Sequence, residues 1–315
     1  MAVYYSLGLD IAGVTTDTSS LVISRKVISS REIECILLGK LPNDRECARR
    51  LRKNNKKYAS VSSLKKILEL ATVDELAEEQ TKFIQEQLTE VRKNHWPLLP
   101  SSIPLVVDTP LDTRELLPFL GFHRTSKIKA HIKGMNSYNE LVKRSIDEYY
   151  EGRPPYADLI GSVPVRFKTI LAYSRTPYVL AKNLFETYPR ACIRELNTVI
   201  PTHPLHELGY GGSAHWTGLA WTSPNNNLLD NIRGIGIVGM PGVREILTDH
   251  ELDAILCSVV NLSGNPPSFK PNPNHILFQK SQYLKRGVNL NRGLPKGYRV
   301  VAYLYWDIIK IVGRV

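Results

Sequence analysis

Paired cysteines are missing from this chain. Four occur in 315 residues, Cys35, Cys47, Cys192 and Cys257, and no two have Cys-x-x-Cys spacing. That excludes a zinc ribbon or a disulfide framework as the organising device and leaves reduced, buried thiols. Long apolar runs are missing as well: no window approaches the ~18 uninterrupted apolar residues of a membrane span. The opening MAVYYSLGLDIAG has no basic segment followed by a long apolar stretch, so a cytoplasmic protein with no membrane partner is expected. Internal repeats and low-complexity tracts are also absent. Negative charge is in short supply, with 30 Asp and Glu against 41 Lys and Arg, a formal net charge of +11. Such a surplus favours a polyanionic partner, because clustered cations neutralise phosphates and release their counterions.

What is present is an ordinary globular composition, 43% hydrophobic and 23% charged, enough to bury a sizeable core and to exclude general disorder. Tyr5, Leu7, Leu9 and Ile11 alternate with Ser6, Gly8 and Asp10, the period of a strand with one apolar face. Leu21 to Ser24 and Glu32 to Gly39 are two more β-rich runs, so the chain opens with a three-stranded antiparallel meander. From Pro42 to Trp96 the character is helical: Leu64, Ile67, Leu68 and Ala71 share one face, and Leu76, Phe83, Ile84, Leu88 and Val91 another. Thr72 and Glu75 have the spacing of a capping box for the second helix. Sheet-like sequence resumes at Ile103 to Val107, an apolar run suited to a parallel strand buried on both faces.

Further on, Ser137 to Tyr150 reads as helix, Val163 to Tyr173 and Asn183 to Thr187 as strands, and Val300 to Tyr305 as an apolar strand. Thr248 and Glu251 open a helix whose buried stripe is Leu252, Ile255, Leu256 and Val259. The expected architecture is α/β. A mixed sheet, an antiparallel opening meander plus parallel strands, is flanked by helices in one domain over residues 1–315, with a helical insertion or enlarged crossover at 42–97.

Three carboxylates fall at predicted strand ends: Asp10, Asp108 and Glu186. Acidic residues there converge on one edge of an open sheet, where ligands bind. Gathering carboxylates is unfavourable unless a cation sits among them, and hard oxygen donors select Mg²⁺ or Mn²⁺. A fourth, Asp253, lies past the first turn of the late helix beside its apolar stripe. Two divalent ions about 3.5 to 4 Å apart can activate water and stabilise the leaving oxygen of a phosphodiester. Asp and Glu beside Pro or Thr also serve as plain turn and cap residues. Asp249 and Glu251 are explained by the helix dipole and the cap, and His250 reads as a surface residue, a partner of a ligand or a proton donor.

Four segments in order, GLDIAG (8–13), VVDTPLD (106–112), ETYPRACIREL (186–196) and TDHELDAILCSVV (248–260), resemble a family of predicted RNase H-like nucleases, a domain of unknown function within the RNase H and Holliday-junction resolvase superfamily. The resemblance implies an RNase H-like fold and metal-dependent hydrolysis of DNA or RNA. It also implies metal ligation by Asp10, Asp108, Glu186 and Asp253, with Asp249 or His250 close by. The long helical block at 42–96 and the segment after VVDTPLD depart from the family pattern, which leaves substrate choice open.

Arg45, Arg49, Arg50, Arg52, Lys53, Lys56 and Lys57 are dense enough to form a phosphate-contacting face. Lys127, Lys129, His131 and Lys133 alternate with apolar residues on a basic strand, a pattern that also protects sheet edges. A second basic run spans Lys280 to Arg299. The loop 209–221 offers Tyr210, Trp216 and Trp221 for base stacking or for anchoring to the core. His203, His206 and His215 lack the paired ligands of a zinc site. GLDIAGVTTDTSS also resembles the phosphate hairpin of actin-like ATPases and sugar kinases. That class duplicates its fold, but no second Asp-x-Gly turn occurs in the C-terminal half, and GIGIVGMPG (234–242) is a weak substitute. A non-catalytic nucleic-acid-binding protein is the other rival, distinguished by binding that survives loss of the carboxylates.

Overall fold

The computed structural model describes residues 2–11, 19–53, 69, 72–109, 111, 166–167, 170–171, 173–189, 192, 237–238, 248–262 and 308–315. Among these, seven strands form one mixed sheet in the order β5-β4-β1-β2-β3-β7-β6. The opening meander is β1 (Val3–Asp10), β2 (Ser20–Val27) and β3 (Glu32–Lys40), antiparallel throughout, with Asp10 opposite Ser20 and Ser24 opposite Cys35. On the other side of β1 the sheet continues in parallel through β4 (Leu105–Asp108) and β5 (Leu184–Glu186). Beyond β3 it is extended, again in parallel, by β7 (Ile308–Arg314) and the short β6 (Ile237–Val238).

Alternation sorts the sheet's side chains into two cores. One face carries Leu7, Leu9, Leu21, Ile23, Ile36, Leu38, Leu105 and Val107, covered by Val91 and Trp96 and by Phe83, Ile84 and Leu88. α1 (Asp44–Lys53) and α2 (Asp74–Asn94) fall between β3 and β4. α2 is thus joined to the sheet, because its apolar stripe closes this core. Trp96 just beyond α2 packs on Tyr5 at 5.9 Å between ring centroids and takes the Arg25 guanidinium at 4.8 Å, while Arg25 also binds Glu34.

The opposite face is covered by α3 (Asp249–Val260), whose Cys257 and Val260 pack with Val106, Phe185 and Cys192. Close approach is permitted at one point by Gly8. A Cβ there would stand 2.1 Å from the Ala254 carbonyl oxygen and 2.4 Å from the Ser258 nitrogen, so any larger residue would push the helix off the sheet. Ser258 continues the contact further along, its Oγ 2.5 Å from Ser24 Oγ, which in turn lies 2.9 Å from Cys35 Sγ. α3 therefore runs back over β1 and β2, starting at the edge where β1 ends. No helix among the described residues is long and apolar enough to cross a membrane.

Several local expectations need correction. Thr72 does not cap α2. It sits at φ 52, the N-cap position is Val73 without a side-chain cap, and Glu75 turns away to bind Arg50, which also donates to the Thr72 carbonyl. An interhelical ion pair thus displaces the local capping bond. Within the expected strand 163–173, Arg166, Phe167, Ile170, Leu171 and Tyr173 are helical. Phe167 and Ile170 are both buried in the core on the α2 face, and their three-residue spacing puts them on one side of a helix. A further strand, β7, lies at Ile308–Arg314, beyond the expected strand at 300–305. The readings at 64–68, 137–150 and 300–305 lie outside the described residues.

Candidate functional site

At the edge where β1 and β4 end, Asp10 and Asp108 are direct partners in the parallel register. They share the face of Gly8 and Val106, the one α3 covers, because side chains two apart on a strand point the same way. The sequence brings them there simply: each closes an apolar strand, LGLD and LVVD. Asp10 is buried and Asp108 half-buried.

α3 begins over this edge. Its N-terminus is fixed by a complete capping box: the Thr248 side chain accepts from the Glu251 N–H at 3.2 Å, and the Glu251 carboxylate accepts from the Thr248 N–H at 2.7 Å. In the first turn His250 Nδ1 stands 2.5 Å from Asp10 Oδ2. The imidazole is 26% exposed, so the ring bridges the buried carboxylate and solvent. Asp253 heads the helix stripe that continues with Cys257 and Val260, four and three residues on. Since Cys257 and Val260 pack against Val106, Asp253 lies one turn nearer the strand end that carries Asp108. The positive end of the helix dipole faces the same edge and favours negative charge there.

The thiols beneath lie in the field of these carboxylates. Burial pushes the Cys257 thiol well above its ordinary value, and the negative charges of Asp108, Asp10 and Asp253 push it further. Cys192 is raised to about 12, first by burial and then by Asp108 and Asp253, against a lowering hydrogen bond from Thr187. Both thiols are therefore protonated at neutral pH and offer no nucleophile.

Glu186 is not brought to the other three. Its register partner is Val107, which sets it on the Leu9 and Val107 face, opposite to Asp10 and Asp108. There it is fully buried and accepts the Leu111 N–H at 2.9 Å, so it orders the chain just past Asp108. Both lie near strand ends, but an offset of one residue puts them on different faces, and that offset has no signature in either motif. Asp249 is the first residue of α3, and its side chain lies outside the described residues.

Oxygen donors of this type suit Mg²⁺ or Mn²⁺, and Asp10, Asp108 and Asp253 fit such an ion in chemistry and in sharing one edge. Among the described residues, however, no three His, Cys, Asp or Glu side chains stand close enough together to grip one ion.

A second polar group, unannounced by any motif, lies on the other side of the sheet. Arg166, Asp44 and Ser19 are all buried. Arg166 pairs with Asp44, whose carboxylate also accepts from the Ser19 hydroxyl and, at 3.3 Å, from its N–H. Three residues distant in sequence meet here, which no local pattern reveals. Two arginines of the basic run are paired: Arg49 and Arg50 both bind Glu46, and Arg50 also binds Glu75, while residues 54–57 lie outside the described residues. The Glu46 carboxyl is held down to about 2 by those arginine hydrogen bonds. The basic segments 127–133 and 280–299, the histidines 203, 206 and 215 and the aromatic loop 209–221 lie outside the described residues. Comparison with known proteins adds no assignment: no family model, curated protein or solved structure matches the chain.

Proposed function

We propose that this protein is a metal-dependent nuclease with an RNase H-like fold, hydrolysing phosphodiester bonds in DNA or RNA at the edge formed by β1, β4 and α3. The observation that carries the reading is the side-by-side register of Asp10 and Asp108 beneath the helix turn bearing His250 and Asp253. The meander of β1 to β3 followed by parallel β4 and β5 is the strand arrangement such a fold requires, and the net charge of +11 suits a polyanionic substrate.

In this reading Asp10, Asp108 and Asp253 hold the divalent ions, whose chemistry when bound is to polarise the phosphate and lower the pKa of water. Drawing the three carboxylates together around an ion relieves their mutual repulsion. His250 fixes the Asp10 carboxylate and, being half-buried, is within reach of solvent protons. Glu186 supports the site from behind by ordering Leu111, and is not a ligand.

The test is a panel of labelled single-stranded, duplex, hybrid and branched DNA and RNA incubated with Mg²⁺ or Mn²⁺. Cleavage is expected to stop in chelator and to fall by about 10² to 10³ in Asp10→Asn, with the fold retained. Undiminished cleavage by that variant would refute the proposal, and binding without cleavage by the wild type would favour a non-catalytic nucleic-acid-binding protein.

A further inference from the structure

Glu251 does more than close the capping box of α3. Its side chain is 4% exposed, and while one oxygen accepts the Thr248 N–H, the other lies 2.7 Å from Arg314 Nη2 on β7. Both carboxylate oxygens are thus engaged, one within the helix and one by the sheet. Arg314 is 35% exposed, so this clamp sits at the border of core and solvent.

Arg314 reaches α3 only because β7 is irregular. Along β3, Cys35 and Leu37 face α3, as the contact from Cys35 through Ser24 to Ser258 requires. β7 pairs Ile311 with Cys35, then Gly313 with Ile36 and Arg314 with Leu37, leaving Val312 as an extra residue. Ile311 and Arg314 are three apart and would lie on opposite faces of a regular strand. Were the pairing regular, Arg314 would fall opposite Leu38 and face the α2 core. The bulge shifts the alternation by one and turns Arg314 toward α3, the re-aiming that bulges commonly perform near functional sites. Two further contacts hold this register. The Val315 N–H donates to the Leu37 carbonyl at 2.9 Å. Gly313 leaves room for the His95 ring, 3.0 Å from where a Cβ would stand.

We infer that Arg314 is a positioning residue for the carboxylate site: the bulged end of β7 clamps Glu251 and thereby fixes the first turns of α3, which carry His250 and Asp253. The functional consequence rests on the nuclease reading, whereas the clamp itself does not. Small displacements of a catalytic group cost much activity, so loss of the clamp lowers kcat by roughly 10- to 100-fold with little change in KM.

The experiment compares Arg314→Met, Arg314→Lys and Glu251→Gln in the full chain. Imidazole ¹H–¹⁵N spectra report the contact between His250 and Asp10, with the signal assigned by its loss in His250→Gln. Arg314→Met is expected to move the His250 signals, Arg314→Lys to restore them in large part, and Glu251→Gln, which keeps an acceptor for the Thr248 N–H, to move them as Arg314→Met does. If Arg314→Met does not fold, Glu251→Gln carries the test alone. His250 signals that stay at their wild-type positions in the folded variants overturn the proposal. If the wild type cleaves nothing but the His250 signals of Arg314→Met and Glu251→Gln move as expected, the nuclease reading falls and the clamp stands.

Discussion

The two faces of the sheet treat charge differently at the edge where β1 and β4 end. On the α2 face, Glu186, Asp44 and Arg166 are buried: Glu186 accepts the Leu111 N–H, while Asp44 pairs with Arg166 and accepts from the Ser19 hydroxyl and N–H. On the α3 face, Asp10 and Asp108 stand side by side, Asp108 and Asp253 are only half-buried, and the neighbouring imidazole reaches solvent. Breaking a buried ion pair is costly because it leaves an uncompensated charge, so such a pair ties together the segments that carry it. Like charges brought close together repel, a cation relieves that repulsion, and such arrangements cluster at functional sites. Under the proposed nuclease reading, the α2 face carries structure and the α3 face the chemistry.

The sharpest way to break that division is to remove Asp44. Asp44→Ala removes the carboxylate that pairs with buried Arg166 and is expected to cost about 3–5 kcal/mol in denaturant unfolding, while cleavage per folded molecule stays near wild type. A fall in activity without a fall in stability would blur the two faces. Next comes Gly8→Ala, where the added carbon meets the backbone of α3. Here stability is expected to drop by ~3 kcal/mol and activity to drop with it, because the helix that shifts carries His250 and Asp253. Glu186→Ala, which leaves the buried Leu111 N–H without its acceptor, should cost about 1–3 kcal/mol and leave Mn²⁺ affinity unchanged. Weakened Mn²⁺ binding in that variant would return Glu186 to the site. The smallest effect is expected from Thr248→Ala, about 1 kcal/mol for a lost helix cap, read as a modest fall in Tm.

These expectations show where the sequence was readable. The opening meander, β4 and α3 followed from short-range alternation and from the Thr248 and Glu251 spacing, because each is determined by residues within a few positions of one another. The same spacing at Thr72 and Glu75 misled, since Arg50, 25 residues from Glu75, offers that carboxylate a better partner. Asp10, Asp108, Asp253 and His250 were visible as strand-end and helix-turn residues. Which face each strand end presents is a matter of register, and register placed Glu186 behind the sheet. The Ser19, Asp44 and Arg166 group and the Arg314 clamp were invisible for a related reason. One joins residues as much as 147 positions apart, and the other depends on a bulge that no residue pattern marks.

The most direct test of the division between faces is a paired measurement of Mn²⁺-dependent cleavage by Asp253→Asn and Glu186→Ala, each normalised to folded protein. Loss of about 10² or more in the first with near wild-type turnover in the second is the result expected. The reverse pattern, with Asp253→Asn active and Glu186→Ala inactive, would contradict the account.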